Sequence, residues 1–490
     1  MRWTVAEVAG ALGVSPPAGL DPLARLAGVS IDSRSVKPGE LFVAIRGPRH
    51  DGHGYVAAAL AAGAIAGVVA GSRASEYPEE IRSRLLAVEN TLRGLQELAS
   101  KYCDAWRKAK PGRRLAAITG SAGKTTTKEI LAALLAARRR VLKSEGNLNN
   151  EYGLPLTLFR LGEEHEAAVV ELGMSHRGEL ARLAEIARPD VGVVTNVAPV
   201  HLEFFSSIDE IALAKRELIE GLGRESPVAV LNADDERVAR FAEGFPGSVR
   251  FFGLSERAEF RADNIEDRGL EGTTFDFEGP DELGRLSLPL AGRHNIMNAL
   301  AALAAASEWG IGLAGAKSVF PALLPGSLRG EILRFAAGFV VINDCYNSNP
   351  VALARMVDLL CVTPGYQRRV LVAGEWREIG PESLELHRAG GTYAAEKRAI
   401  DWIFGVEGDA AEFVRGAIAA GHPADCAEFF ASSEVAAKFL AGFVSPGDLI
   451  LVKGSRGVHM ESIAAALRER FALADAGRAE TAKSGRGREG

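Results

Sequence analysis

The chain has 490 residues, 47% of them hydrophobic, which is enough for about three domains that each bury a core. Its formal charge is -6 and its basic residues are spread along the chain, which excludes the electrostatic footprint of a nucleic-acid binder. The four cysteines, Cys103, Cys345, Cys361 and Cys426, form no Cys-x-x-Cys pair, which argues for a reducing, cytoplasmic setting and against a disulfide framework or a zinc site.

At the N-terminus Glu7 interrupts the chain before an apolar run can form, so no secretory leader is expected. Residues 55–72 carry no charge, yet they divide into a helix over 56–61, a break at Gly63 and a buried strand over 65–70, not a membrane span. A polar connector, 107–114, closes a first unit of residues 1–113. Apolar runs at 115–119, 167–171, 191–197 and 228–231 then alternate with helical patterns, which predicts a parallel sheet covered by helices over residues 114–327. After Pro325-Gly326-Ser327 a second series, 339–344, 370–374, 402–406 and 449–453, predicts a doubly wound, Rossmann-like domain over 328–474. Residues 475–490 are small, charged and Gly-rich, the composition of a disordered tail. The fold class is therefore α/β, with a small mixed α/β domain, a central parallel-sheet domain and a C-terminal doubly wound domain.

The strand over 115–119 runs into Gly120-Ser121-Ala122-Gly123-Lys124-Thr125-Thr126-Thr127, with a helix predicted from about Lys128. Such a loop turns backbone N–H groups toward phosphate oxygens, adds the positive end of a helix, and offers Lys124 to the outer phosphates and Thr125 to Mg2+. Ile118 stands where the longer G-x-x-x-x-G-K-[ST] pattern has its first glycine. The bland alternative is a Gly-rich turn with a surface lysine. Ligands of open parallel sheets bind beyond the carboxyl ends of the strands, where Glu171, His201 and Glu203 also fall. Beside a triphosphate they are candidate metal ligands; alone they are solvated strand-end groups. Ser207 to Glu210 reads as a capping box opening a helix. Its apolar stripe contains Lys215, which must snorkel, pair with an anion or be chemically modified.

Taken in order, these strings resemble the Mur ligases over nearly the whole chain. The family's Thr-Gly-x-x-Gly-Lys-Thr loop matches Thr119 to Thr125, its metal-binding glutamate and histidine match Glu171 and His201, and its active-site lysine, carbamylated in several members, matches Lys215. Arg293-His294-Asn295-Ile296-Met297-Asn298 resembles the adenine-contacting motif, Asp32-Ser33-Arg34 the UDP-binding segment, and Lys453-Gly454-Ser455-Arg456 a C-terminal motif. Gly146-Asn147-Leu148-Asn149-Asn150 and Asp344-Cys345-Tyr346-Asn347-Ser348-Asn349-Pro350 look like the branch that adds D-alanyl-D-alanine.

The resemblance implies a cytoplasmic monomer that inserts into no membrane, uses ATP and two Mg2+ ions, and joins D-alanyl-D-alanine to a UDP-N-acetylmuramoyl-tripeptide through an acyl phosphate. It gives Lys124, Glu171, His201 and Lys215 catalytic roles, and places metal on Thr125, Glu171, His201 and Lys215. ATP would lie on Gly120, Ser121, Ala122, Gly123, Lys124, Thr125, Thr126, Asn295, Arg329, Asp344 and Tyr346. Ser33, Arg34, Asn149 and Asn150 would hold the UDP-tripeptide, and Asn347, Asn349 and Ser455 the dipeptide. Without a ligand, the asparagines at 147–150 are also good turn formers and 344–347 a plain strand end. The chain departs from the family pattern at Ser206, Ser175 and Glu375-Trp376-Arg377. Rival readings are a tripeptide-forming or folylpolyglutamate ligase, and a nucleotide-binding regulatory module without the chemistry.

Overall fold

A computed structural model describes residues 3–48, 50–199, 203–223 and 225–474, so the expected tail at 475–490 lies outside the described residues. The chain builds three sheets in succession. In the first, Gly28–Ser30, Glu40–Val43, Ala66–Ala70 and Leu85–Val88 run parallel in sequence order. Alternation along the second strand sends Leu41 and Val43 into a core with helices Val5–Leu12 and Thr91–Ala109, while Phe42 and Ala44 join Val56 and Ala59 on the other face. The charge-free stretch takes the expected form: helix Val56–Ala61, Gly63 at φ +111°, and strand Ala66–Ala70. No helix among the described residues is long and apolar enough to cross a membrane.

The connector is less exposed than its polarity suggests. Helix Thr91–Ala109 runs through Arg107, which is buried and donates to the carbonyls of Ala187 and Arg188, and Arg113 is buried against the Trp106 ring. The Tyr102 hydroxyl donates to Leu161 O at 2.8 Å, so this helix fastens the first sheet to the second.

The second sheet has nine strands, with Arg114–Thr119 between Ala167–Glu171 and Val191–Val194. Helices Lys124–Ala136 and His294–Ser307 cover one face, Glu179–Ala187 and Ile208–Glu220 the other. Beyond Ser248–Gly253 the sheet continues through Phe260–Asp267 into an antiparallel hairpin, Thr273–Gly279 and Glu282–Leu288, which the strand expectations did not include. The third sheet is parallel, in the order Val340–Asp344, Asp448–Lys453, Arg368–Gly374, Trp402–Val406, Ala427–Phe430, with Glu331–Arg334 antiparallel at its edge. Its strands alternate between two apolar cores, Val341, Val370 and Val452 on one face and Ile342, Leu371 and Leu451 on the other, as a doubly wound sheet requires.

Candidate active site

The carboxyl ends of the second and third sheets border one cleft of about 990 Å3. Its floor is the phosphate loop. Gly120 has φ +149° and Gly123 φ +86°; a Cβ on the first would lie 1.8 Å from Thr195 Oγ1, and on the second 2.2 Å from Asn298 Oδ1. Both positions therefore demand glycine. The helix begins at Lys124, not at about Lys128, because left-handed Gly123 acts as its N-cap and Thr127 N–H closes the first turn on Gly123 O at 2.9 Å. This shifts the donors. Ser121 and Ala122 give their N–H groups to Asn196, at its O and Oδ1, whereas Lys124, Thr125 and Thr126 are the first helical residues, whose N–H groups have no intrahelical acceptor.

Asn196 and its neighbour Thr195 support the loop, a part that the sequence pattern concealed inside an expected strand, 191–197. The strand ends at Val194 because Thr195 turns its hydroxyl to Ala122 O at 2.6 Å, Asn232 takes Thr195 O, and Asp235 takes Val197 N–H. Thr195 N–H still reaches Thr119 O, and side chains add the bonds that brace the loop.

Lys124 Nζ donates to Gly120 O at 2.7 Å, and enclosure lowers its pKa while Glu171 partly offsets that. The Thr125 hydroxyl donates to Glu171 Oε2 at 2.6 Å, and Asn149 Nδ2 to Oε1 at 3.0 Å. Glu171 is buried, with its own N–H bonded to Ser144 Oγ. A hydroxyl and a carboxylate side by side form the hard oxygen set that suits Mg2+. Lys215 lines the cleft and is buried, 2% exposed. Among the described residues it has no ion pair; burial, then the Lys124 charge, pushes its pKa well below that of an ordinary lysine. At 2% exposure its amine is not in bulk water. Its helix starts as expected with Ser207 accepting from Glu210 N–H, but the Glu210 carboxylate returns to Ser206 N–H, so the box closes one residue early. His201 lies outside the described residues, and Glu203 borders a shallow depression that adjoins the cleft at Arg377 and Glu378.

Asn295 is buried and tied to Ala291 O and to Asn298, whose Oδ1 backs Gly123. Across the cleft Arg329 stacks on Tyr346 at 3.8 Å, and buried Lys453 pairs with Asp344 at 2.5 Å and donates to Asn347 O. Asn349 caps helix Pro350–Val362, and Asn150 Oδ1 accepts from the N–H groups of Tyr152 and Gly153 in the turn before helix Gly153–Leu158, so both side-chain oxygens also serve turns. Ser455 Oγ accepts from Arg377 N–H at 3.0 Å. The cleft further holds Arg177, Arg182 and Arg355, which no motif singled out, and Arg377 of the divergent Glu375-Trp376-Arg377 string. Ser33 and Arg34 do not reach it. They follow the first sheet's edge, where Arg34 forks onto Asp32 and lowers that carboxyl to about 2.

Residues 25–103 match the Mur ligase family catalytic domain, 118–306 the Mur ligase middle domain, and 328–456 the Mur ligase glutamate ligase domain. The UDP-N-acetylmuramoyl-tripeptide--D-alanyl-D-alanine ligase of Escherichia coli K12 is 36% identical over 453 residues, 90% of this chain and 93% of that protein. A crystal structure of MurF from Acinetobacter baumannii superposes with TM-score 0.84 at 29% identity, covering 96% of this chain and 99% of that one. The MurF ligase of Thermotoga maritima, solved in complex with ADP, gives 0.76 at 29% identity over 90% and 97%. With three consecutive domain matches and full-length relatives above 30% identity, this chain belongs to the Mur ligase family.

Proposed function

We propose that this chain uses ATP to join the amine of D-alanyl-D-alanine to the terminal carboxylate of UDP-N-acetylmuramoyl-tripeptide, completing the pentapeptide precursor of peptidoglycan. The observation that carries the reading is the single cleft in which the phosphate loop and Lys215 meet the Asn347, Asn349 and Ser455 edge of the last sheet. A tripeptide carboxylate oxygen attacks the γ-phosphorus and ADP departs. The dipeptide amine then attacks the acyl carbon, losing a proton as phosphate leaves. Both partners of the first step are anionic, so Lys124 and the first-turn N–H groups lower the barrier by neutralising and orienting charge.

Thr125 and Glu171, with His201 and Lys215, would hold two Mg2+ ions, which when bound neutralise phosphate charge. The depressed pKa of Lys215 supports carbamylation, since a neutral amine adds CO2, forming an N–C bond and releasing a proton. Lys215→Ala is then nearly inactive and partly rescued by formate or acetate.

We further assign residues 1–113 to the UDP end of the substrate, with Ser33 and Arg34 at its far reach and Asn149 and Asn150 nearer the peptide. Residues 114–327 bind ATP, with Asn295, Arg329, Asp344 and Tyr346 completing its site, and residues 328–474 bind the dipeptide. The protein is a cytoplasmic monomer in this reading. The test is phosphate release with purified substrates, omitting one at a time. Release that requires ATP, UDP-tripeptide and D-alanyl-D-alanine together supports the reading. Release driven by a different amine favours another ligase of the family, and nucleotide binding without release favours a regulatory module.

A further inference from the structure

Directly behind Asn347, Asn349 and Ser455 lies Trp376, buried at 2% exposure. Its indole N–H donates to Ser348 Oγ at 2.9 Å, and its backbone N–H donates to His387 Nε2 at 2.9 Å. The indole stacks on the His387 imidazole with centroids 4.6 Å apart, and Gly390 leaves room for it, since a Cβ there would meet the ring at 2.6 Å. Because Nε2 accepts, the imidazole proton resides on Nδ1 and is donated to Ser383 O at 2.7 Å. The next residue, Arg377, gives its N–H to Ser455 Oγ, while Ser455 N–H returns to Glu375 O at 3.2 Å. Ser348, also buried, gives its own N–H to Asn347 Oδ1 at 2.9 Å.

One short segment, 375–377, thus fixes both the Asn347–Asn349 turn and Ser455. Packing alone asks only for a large apolar ring, and phenylalanine would supply most but not all of that volume. What tryptophan adds is a donor, which fixes Ser348 as an acceptor and so fixes the rotamer of the residue between the two asparagines. We infer that Trp376 is a positioning residue for the incoming amine substrate, acting through its indole N–H on Ser348 and hence on the asparagine turn that borders the cleft. This rests on the assignment of D-alanyl-D-alanine to that wall.

The experiment is steady-state phosphate release by the full chain carrying Trp376→Phe, with each of the three substrates varied in turn. Loss of one buried hydrogen bond raises the KM for D-alanyl-D-alanine about three- to tenfold, while the KM for ATP stays at its wild-type value; the smaller ring lowers the melting temperature without moving the KM for ATP. Ser348→Ala gives the same rise, and the double variant is no worse than either single one. An unchanged dipeptide KM in both single variants overturns the inference. So does a parallel rise in all three KM values, which marks a merely structural role, and so does an additive double variant. A wild-type chain that releases no phosphate with the dipeptide overturns the acceptor assignment itself, and is told apart because it precedes any variant.

Discussion

At the carboxyl edge of the second sheet a glycine-shaped backbone loop lines the cleft, whereas at the edge of the third sheet side chains bonded to one another line it. The phosphate loop holds its shape through two left-handed glycines wedged against Thr195 and Asn298, with its working N–H groups in the first turn of a helix. The opposing wall uses extended chain and a helix cap, fixed by Trp376, Ser348, Arg377 and Ser455 bonding to one another. A phosphate is the same in every nucleotide, so a backbone cradle that tolerates no added carbon is suited to it. An acceptor peptide differs from one ligase to another, and a wall of exchangeable side chains can be refitted without rebuilding the sheet.

That contrast can be broken most severely at Lys124. Lys124→Ala lowers phosphate release at least a hundredfold, a barrier rise of about 2.7 kcal/mol, with an unchanged melting curve, because the lysine faces the cleft rather than a core. Retention of more than about a tenth of the rate removes it from the reaction. Next comes Gly120→Ala. The added methyl meets Thr195 Oγ1, so we expect nucleotide affinity to collapse together with a stability loss of about 1–3 kcal/mol. Calorimetric ATP affinity within about twofold of wild type would mean the backbone cradle is softer than its geometry implies.

His294 sharpens the comparison because it faces the opposite edge. Burial, and then the Arg355 and Lys453 charges across the cleft, lower its pKa from 6.5 to about 4, with Asp344 opposing. A depressed folded pKa gives stability that is present above 6.5 and lost as pH falls toward 4. Relative to His294→Gln, the wild type therefore loses at most about 2 kcal/mol between pH 7.5 and 5, less any screening by the open cleft. An NMR titration of this imidazole with a midpoint near 6.5 would show the two edges to be farther apart in solution. The smallest effect belongs to Thr195→Val, which strips one hydrogen bond from Ala122 O; a rise of about three- to tenfold in the KM for ATP is expected, and no change would remove Thr195 from the brace.

Much of this was legible in the sequence, at positions where one local signal dominates. The runs at 167–171 and 402–406 are strands over those same residues, since short apolar segments between turn signals have few other solutions. The glycines of 120–123 announced a phosphate-binding turn, and the stripe that contains Lys215 placed a lysine on an apolar helix face. Elsewhere tertiary contacts overruled the local pattern. Thr195 and Asn196 continue an apolar run, yet end the strand because the phosphate loop and Asn232 offer them partners. Arg107 and Arg113 look like a solvated connector, yet are buried between two sheets.

By itself the sequence determined the order of the three α/β units, the phosphate loop and the place of Lys215 on an apolar helix stripe, because periodicity, glycine geometry and helix capping act over a few residues. Only the tertiary structure decided which distant groups share the cleft. The bond from Trp376 to Ser348 spans 28 residues and that from Arg377 to Ser455 spans 78, and neither residue type predicts its partner. Such bonds depend on how whole helices and strands are oriented once packed, an outcome set by the sum of many weak contacts rather than by any pair of letters.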